Sequence, residues 1–172
     1  AADLLNRTDL TQLTEWLRAY GEIANPKRVA EAILEARPIT TTTQLRDVVA
    51  GVAHSGRRQR IHPATQVFQA LRIAVNDELG RLARALPALI DALAPGGRLA
   101  VITFHSLEDR IVKLAFREAA TERVAIPGFG ADQPEKAALV NPISRKPIEP
   151  AAAEIAANPR ARSAQLRVVE KR

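Results

Sequence analysis

Apolar side chains recur at helical spacing near the start of the chain. Leu10, Leu13 and Leu17 follow one another every three or four residues, which predicts an amphipathic helix. We expect this helix to begin near Thr8. Gly21 stands where a left-handed C-cap would end it.

Two more helices are predicted before the first charge-rich stretch. Asn25 followed by Pro26 is a start signal, because Asn is a good N-cap and proline is tolerated in the first turn. Pro38 is expected to end this second helix. The hydroxyl-rich run 40–43 can cap a third. Together the three short helices can bury a modest core.

A longer helical pattern starts at Pro63 and continues to Leu93, with a bend expected near Pro87. The stretch 94–97, Ala-Pro-Gly-Gly, is a stop and a turn. After it the period changes, and residues 99–104 form a continuous apolar run. Such a run is typical of a strand buried on both faces of a parallel sheet.

The pattern after this strand returns to helix. Ser106 and Asp109 fit a capping box, so Ser106 is expected to cap the next helix. Residues 125–136 are expected to form an exposed loop, and two further short strands are predicted at 139–143 and 165–169. The order helix, turn, buried strand, helix indicates an α/β fold with a doubly wound sheet.

Composition restricts the kinds of protein this can be. Hydrophobic residues make up 47% and charged residues 26%, as in soluble globular domains. The chain has no Cys and three His without a close pair, which excludes disulfides and argues against a metal site. No apolar run is long enough to span a membrane, and no secretory leader is visible. We therefore expect a cytoplasmic protein with no membrane partner.

The charge balance is compatible with a polyanionic partner. Lys and Arg outnumber Asp and Glu by 25 to 19, which gives a net charge of +6. Arg57, Arg58 and Arg60 form the sharpest candidate for RNA phosphate binding, although a solvated loop explains a charge run equally well. Four cations in the later, proline-interrupted connectors are secondary candidates: Arg145, Lys146, Arg160 and Arg162.

Several long motifs carry a family resemblance. They are Arg-Ile-His-Pro-Ala-Thr at 60–65, the helix 68–79, Pro-Gly-Gly-Arg at 95–98, the segment 104–113 and Asn-Pro-Arg-Ala-Arg-Ser at 158–163. In this order they resemble the MraW (RsmH) family, bacterial methyltransferases that modify N4 of a decoding-centre cytosine in 16S ribosomal RNA. The likeness extends across most of the chain.

The resemblance implies a helix-dominated α/β fold. Residues 1–79 would be an all-helical insertion that aids RNA recognition. Residues 80–172 would be the C-terminal portion of the methyltransferase domain, a partial Rossmann-like class I sheet from its fifth strand onward. The implied partner is 16S rRNA or the small ribosomal subunit, and the implied cofactor is S-adenosylmethionine.

One part of the family pattern is missing. The family holds the methyl donor with a Gly-rich loop after the first strand, an acidic residue after the second and side chains around the fourth. The nearest glycine pair, Gly96 and Gly97, is a helix-to-strand turn instead. We therefore expect no donor ligand in this chain and no activity from it alone. The unpaired edge of strand 99–104 then predicts a homodimer or a swapped oligomer.

Methylating an exocyclic amine requires the base to leave its stack and align its nitrogen with the donor. Phe104, His105 and Ser106 follow the apolar strand, where ligands bind in such folds. His105 is expected either to hydrogen-bond the base or to accept a proton, and Ser106 either to contact the base or, as we favour, to cap the helix. Asn76 and Glu78 either line the cleft or form a polar helix end.

The remaining candidates concern base stacking and the basic loop. Most aromatic residues lie at helical spacing and are expected in the core, with Phe104 and Phe129 as exceptions that could stack on a base. His62 adjoins the basic loop and is a substrate-binding candidate. Two other functions stay open: a free-standing helical module that binds RNA or protein, and a distinct methyltransferase acting on another RNA.

Overall fold

The computed structural model describes residues 1–52, 62–123 and 136–172. The chain divides into two compact units, Ala1–Glu78 (unit 1) and Leu79–Arg172 (unit 2), each with its own hydrophobic core. Within the described ranges, no helix is both long and apolar enough to cross a membrane.

The regular elements of unit 1 are all helices in its described residues. Its helices are α1 (Ala2–Arg7), α2 (Leu10–Ala19), α3 (Pro26–Glu35), α4 (Thr42–Val52) and α5 (Pro63–Asn76). The three predicted helices correspond to α2, α3 and α4, whereas α1 is too short to show a period and was not predicted. Each of the longer helices contributes fully buried side chains to one core: Leu13, Leu17, Ile33, Val49 and Val67.

The end of α2 differs from the prediction. Gly21 does not adopt a left-handed conformation; the residue with positive φ is Glu22, at 50°. Glycine is required at position 21 for space, because a Cβ there would lie 2.8 Å from the Leu17 carbonyl oxygen and 3.0 Å from that of Gln66. The left-handed cap predicted at Gly21 was therefore wrong, and the glycine is explained by the nearby carbonyl groups of α2 and α5.

The long helical pattern from Pro63 is interrupted once. Asp77 adopts a left-handed conformation with φ of 49°, which ends α5, and α6 then runs over Glu78–Asp91. Pro87 lies inside α6. The interruption coincides with the boundary between the two compact units.

Unit 2 contains a small sheet. After α6 come β1 (Arg98–Thr103), α7 (Ser106–Ala120), β2 (Val140–Pro142), α8 (Ala152–Ala157), a 3₁₀ helix (Pro159–Ser163) and β3 (Gln165–Lys171). The strand order is β1-β3-β2, and both pairings are antiparallel. The two predicted C-terminal strands are therefore present, while α8 and the 3₁₀ helix fall in segments predicted as connectors.

The prediction that β1 is buried on both faces and paired in parallel was wrong for this chain. Leu99 and Val101 pack into the core formed by α6, α7 and the other strands, whereas Ile102 on the opposite face is 59% exposed. The only strand pairing of β1 in the described residues is antiparallel, with β3. The apolar run is continuous because β1 carries apolar side chains on both of its faces, although the core covers only one of these faces.

Candidate functional site

The turn between β1 and α7 carries the first group of predicted site residues. His105, not Ser106, is the N-cap of α7: its Nδ1 accepts a hydrogen bond from the Glu108 backbone N–H at 3.4 Å. The Glu108 carboxylate accepts in turn from the Phe104 N–H at 2.9 Å. The capping box is thus shifted by one residue from the prediction, because His105 is still extended (φ −143°, ψ 160°) and the helix begins at Ser106.

The capping contact restricts what His105 can do chemically. Its Nδ1 lone pair is directed at the helix N-terminus, so in the neutral ring the proton resides on Nε2. That nitrogen lies 3.3 Å from a carboxylate oxygen of Glu108, and the His105 side chain is only 15% exposed. The side chain therefore caps the helix, a role that the sequence did not reveal. Its other ring nitrogen, Nε2, is a hydrogen-bond donor rather than a proton acceptor.

Phe104 differs from its neighbour in being accessible. Its side chain is 55% exposed at the end of β1, although aromatic side chains are normally placed where they bury area. The Glu108 carboxylate fixes its backbone, so the ring projects from a rigid turn. Ser106 is also exposed and forms the first residue of α7. An exposed ring in a fixed position can stack on a nucleobase.

A partly buried ion pair joins the first turn of α7 to strand β3. Arg167 on β3 donates two hydrogen bonds to the Asp109 carboxylate, at 2.6 and 2.8 Å, and the two side chains are 11% and 15% exposed. With its amide nitrogen turned toward the carboxylate, Gln165 donates to both Asp109 oxygens. Asp109 is therefore not the capping partner that the sequence suggested; it joins the first turn of α7 to the sheet.

The second group of predicted residues lies where α5 meets α6. Arg72 forms a bidentate pair with Glu78, at 2.9 and 3.1 Å, and the Asn76 amide donates to the same carboxylate at 3.1 Å. The structure thus brings Asn76 and Glu78 together. The sequence missed Arg72, since six residues separate it from Glu78 and a helical break lies between them.

An apolar cavity of about 290 Å³ adjoins this cluster inside unit 1. α1, α4, α5 and the segment before α4 line it, with Phe68, Leu71 and Val75 among the apolar walls. Arg72 and Asn76 are among the few polar side chains that line it. Apolar walls with a small number of oriented polar groups are typical of small-molecule and base-sized sites.

The other predicted substrate residues are dispersed. His62 is exposed and caps α5, accepting from the Ala64 N–H at 3.2 Å. Arg145 and Lys146 lie exposed after β2, and Arg160 and Arg162 are exposed in the 3₁₀ helix. Four predicted residues lie outside the described ranges: Arg57, Arg58, Arg60 and Phe129.

Among the described residues, the carboxyl of Glu118 has a shifted pKa. The Lys136 ammonium, which hydrogen-bonds to Glu118 at 2.7 Å, and the nearby Arg123 together hold the pKa of the Glu118 carboxyl below its ordinary value. Arg123 and Lys136 also pair through their backbones, with N–H to carbonyl distances of 2.9 and 3.0 Å. Glu118 therefore ties together the two ends of the segment between them.

The glycine turn before β1 does not fit a methyl donor. The Gly96 N–H donates to the Lys171 carbonyl and the Gly97 N–H to the Ala94 carbonyl, so neither is available to a ligand. A Cβ at Gly97 would lie 2.8 Å from the Ala94 carbonyl oxygen. The turn is therefore too tight for a side chain at this position. The described residues show no glycine-rich loop leading from a strand into a helix.

Comparison with known proteins identifies the family. The model of the MraW methylase family matches residues 1–172. The chain belongs to this family. The predicted family resemblance is therefore confirmed over the whole length.

Individual relatives agree with this assignment. A protein named ribosomal RNA small subunit methyltransferase H from Symbiobacterium thermophilum is 48% identical over 175 residues, which cover 99% of this chain and 55% of the relative. Proteins of the same name from Methylorubrum extorquens and a Methylobacterium species are each 50% identical over 178 residues, covering 99% of the chain and 50% and 52% of the relatives. The chain spans about half the length of the curated relatives it matches.

Proposed function

We propose that the protein to which this chain belongs transfers a methyl group from S-adenosylmethionine to N4 of a decoding-centre cytosine in 16S rRNA. The supporting observation is the identity of 48–50% across 99% of the chain to proteins named ribosomal RNA small subunit methyltransferase H. The nitrogen and the cytosine position come from the motifs that resemble the family, not from the relatives' names. The cytoplasm and the small ribosomal subunit are the setting that this substrate requires.

Phe104 is the residue we assign to base stacking in this reaction. Its ring is exposed at the carboxyl end of β1 and its backbone is held by Glu108. Stacking on an aromatic ring contributes about 1–3 kcal/mol per base, enough to hold a flipped cytosine in place. His105 and Ser106 are assigned to positioning this turn: His105 caps α7, and Ser106 is its first residue.

Asn76 and Glu78 are assigned to substrate binding through the Arg72 cluster. Asn76 lines the apolar cavity of unit 1, and Glu78 holds it and Arg72 in fixed orientations. An amide that both donates and accepts suits the edge of a nucleobase. Further contacts to RNA phosphates are assigned to the exposed cations of the sequence motifs: Arg57, Arg58, Arg60, His62, Arg145, Lys146, Arg160 and Arg162.

The reaction is tested with the full-length protein, purified small ribosomal subunits and S-adenosylmethionine carrying a labelled methyl group. We expect N4-methylcytidine in the digested 16S rRNA, identified by mass spectrometry of the nucleosides. Phe104→Ala should lower the rate by about fivefold or more, whereas Phe104→Tyr should retain most of it because the ring remains. Methyl transfer to a different atom or a different RNA would support the distinct-methyltransferase alternative instead.

We also propose that this chain is the C-terminal part of a Rossmann-like class I sheet, with the donor held by the remaining half of the full-length protein. Two observations support this. The face of the sheet opposite α6 and α7 is apolar and accessible, with Ile102, Ile143 and Ile148 each about half exposed. In addition, β1 has one neighbouring strand among the described residues, which leaves its other edge open to pairing.

The isolated 172-residue chain should then self-associate and fail to bind the donor. Light scattering should give a mass of a dimer or larger, and Ile102→Lys should shift it toward the monomer by placing a charge on the exposed face. Calorimetry should show no binding of S-adenosylmethionine at micromolar concentrations. A well-behaved wild-type monomer of 18.7 kDa would favour the alternative of a free-standing binding module.

A further inference from the structure

A second cleft lies on unit 2, away from the β1–α7 turn and at the opposite end of α7. Its volume is about 360 Å³, within the range of binding clefts for small ligands. The C-terminal half of α7, the segment after β2 and the strand β3 line it, and the apolar side chains among its walls include Phe116 and Pro142. Arg145 was a predicted substrate residue and Lys113 ends the motif 104–113, but nothing in the sequence brought them together with Arg117.

Cations dominate the charged groups of this cleft. Lys113, Arg117, Arg145 and Arg167 line it, and no carboxylate does. Arg167 is neutralised by its bidentate pair with Asp109. Within the described ranges the other three form no ion pair with an acid, so three uncompensated positive charges line one concave surface.

The arrangement is unfavourable without an anion. Lys113 and Arg117 are four residues apart on α7, where like charges repel by about 0.2–0.5 kcal/mol. Arg117 lies in the last turn, where the helix dipole favours a cation, but Lys113 lies two turns from the end and gains little from the dipole. Arg145 is in a turn that the Ser144 hydroxyl closes by donating to the Lys146 carbonyl at 2.6 Å.

We propose that this cleft binds the phosphodiester backbone of the RNA substrate, through Lys113, Arg117 and Arg145. Cations on a concave, low-dielectric wall focus positive potential, and guanidinium groups match phosphate geometry. The contact positions the RNA without reading its sequence. This inference rests on the proposed function, since it takes the substrate to be ribosomal RNA, and it adds a binding surface separate from the base-binding turn.

The test uses the full-length protein and purified 16S rRNA, with affinity measured by filter binding at several salt concentrations. The triple variant Lys113→Gln, Arg117→Gln, Arg145→Gln removes three phosphate contacts. It should weaken binding by roughly tenfold or more at low salt, and it should reduce the slope of log affinity against log salt by about 2–3. The matched control is Arg81→Gln, an exposed cation on α6 outside the cleft, which should leave the slope unchanged.

A charge-retaining variant guards against a folding defect. Lys113→Arg, Arg117→Lys, Arg145→Lys should keep the salt slope, because the three charges remain. If the neutral triple variant is folded by circular dichroism and keeps the wild-type slope, the proposal is refuted. Methyl transfer by the wild-type protein to 16S rRNA in small ribosomal subunits is measured in parallel. If the wild type methylates the subunits while the neutral variant keeps the wild-type slope, only the cleft assignment fails. If the wild type does not methylate the subunits, the proposed function fails.

Discussion

Asp109→Ala should destabilise unit 2 more than the loss of an exposed ion pair would. The substitution leaves the Arg167 guanidinium, 11% exposed, without its bidentate partner. Removing one member of a fully buried pair costs about 3–5 kcal/mol, because the remaining charge stays desolvated. Since both side chains retain slight access to water, we expect a loss of about 2–4 kcal/mol in the free energy of unfolding of unit 2.

The measurement must report on unit 2 alone. The single tryptophan and the single tyrosine, Trp16 and Tyr20, both lie in unit 1, so fluorescence does not follow the sheet. Amide hydrogen exchange of β3, read by mass spectrometry, gives the local free energy of opening directly. Trp16 fluorescence during urea unfolding then serves as the reference for unit 1.

Two variants make the result decisive. Glu170→Ala removes an acid from the Arg98–Glu170 pair of the same sheet, at a similar 2.8 Å separation but with Arg98 65% exposed, and should cost no more than about 1 kcal/mol. The double change Asp109→Leu, Arg167→Leu should cost less than Asp109→Ala alone, because no charge is left buried. The reasoning is refuted if Asp109→Ala costs no more than Glu170→Ala, or if the double variant is as unstable as the single.

Two further predictions concern the close backbone contact at Gly21 and the ion pairs that Glu118 forms with Lys136 and Arg123. Gly21→Ala should destabilise unit 1 by about 1–3 kcal/mol, because the new Cβ would lie 2.8 Å from the Leu17 oxygen, whereas Gly51→Ala meets nothing within 4 Å and should stabilise helix α4 by about 0.5–1 kcal/mol. Glu118 has a lowered pKa through its contact with Lys136, so its contribution is present at neutral pH and lost as pH falls through its folded-state pKa. Glu118→Gln should therefore be less stable than wild type at pH 7 and approach it below the ordinary carboxylate range.

Simple measurements check both. Urea unfolding followed by Trp16 fluorescence compares the two glycine variants, and equal effects at positions 21 and 51 would show that the close approach is unimportant. For Glu118, hydrogen exchange at the Arg123 and Lys136 amides, measured across a pH series, reports on the stability of the ion pairs around Glu118. A difference between Glu118→Gln and wild type that persists unchanged into acid would contradict the assigned pKa direction.

The structure changes the interpretation of His105. From the sequence, a histidine at a strand-to-helix turn had no evident packing role, and function was the natural hypothesis. Its ring instead caps α7 through Nδ1, which leaves the Nε2–H beside Glu108. The catalytic assignment of His105 and Ser106 thus stays a prediction, with positioning of the Phe104 ring as the role that the geometry supports best.

The sequence alone determined the elements whose cause is local. Helical periods located α2, α3, α4 and α7 and the combined span of α5 and α6, although not the break at Asp77. The Pro-Gly-Gly turn placed the start of β1, and long motifs indicated the family. Each of these depends on residues close together in the chain. Short elements such as α1 and α8 escaped detection, since six residues carry too little period to recognise.

Only the tertiary structure decided how distant residues meet. The Asp109–Arg167 pair joins residues 58 apart, and Gly21 is required by the approach of Gln66. The same holds for the β1–β3 register and for the cationic cleft of Lys113 and Arg145. Pairing across a sheet and packing of one helix on another depend on backbone separations and side-chain volumes in three dimensions, and no local pattern in the chain encodes them.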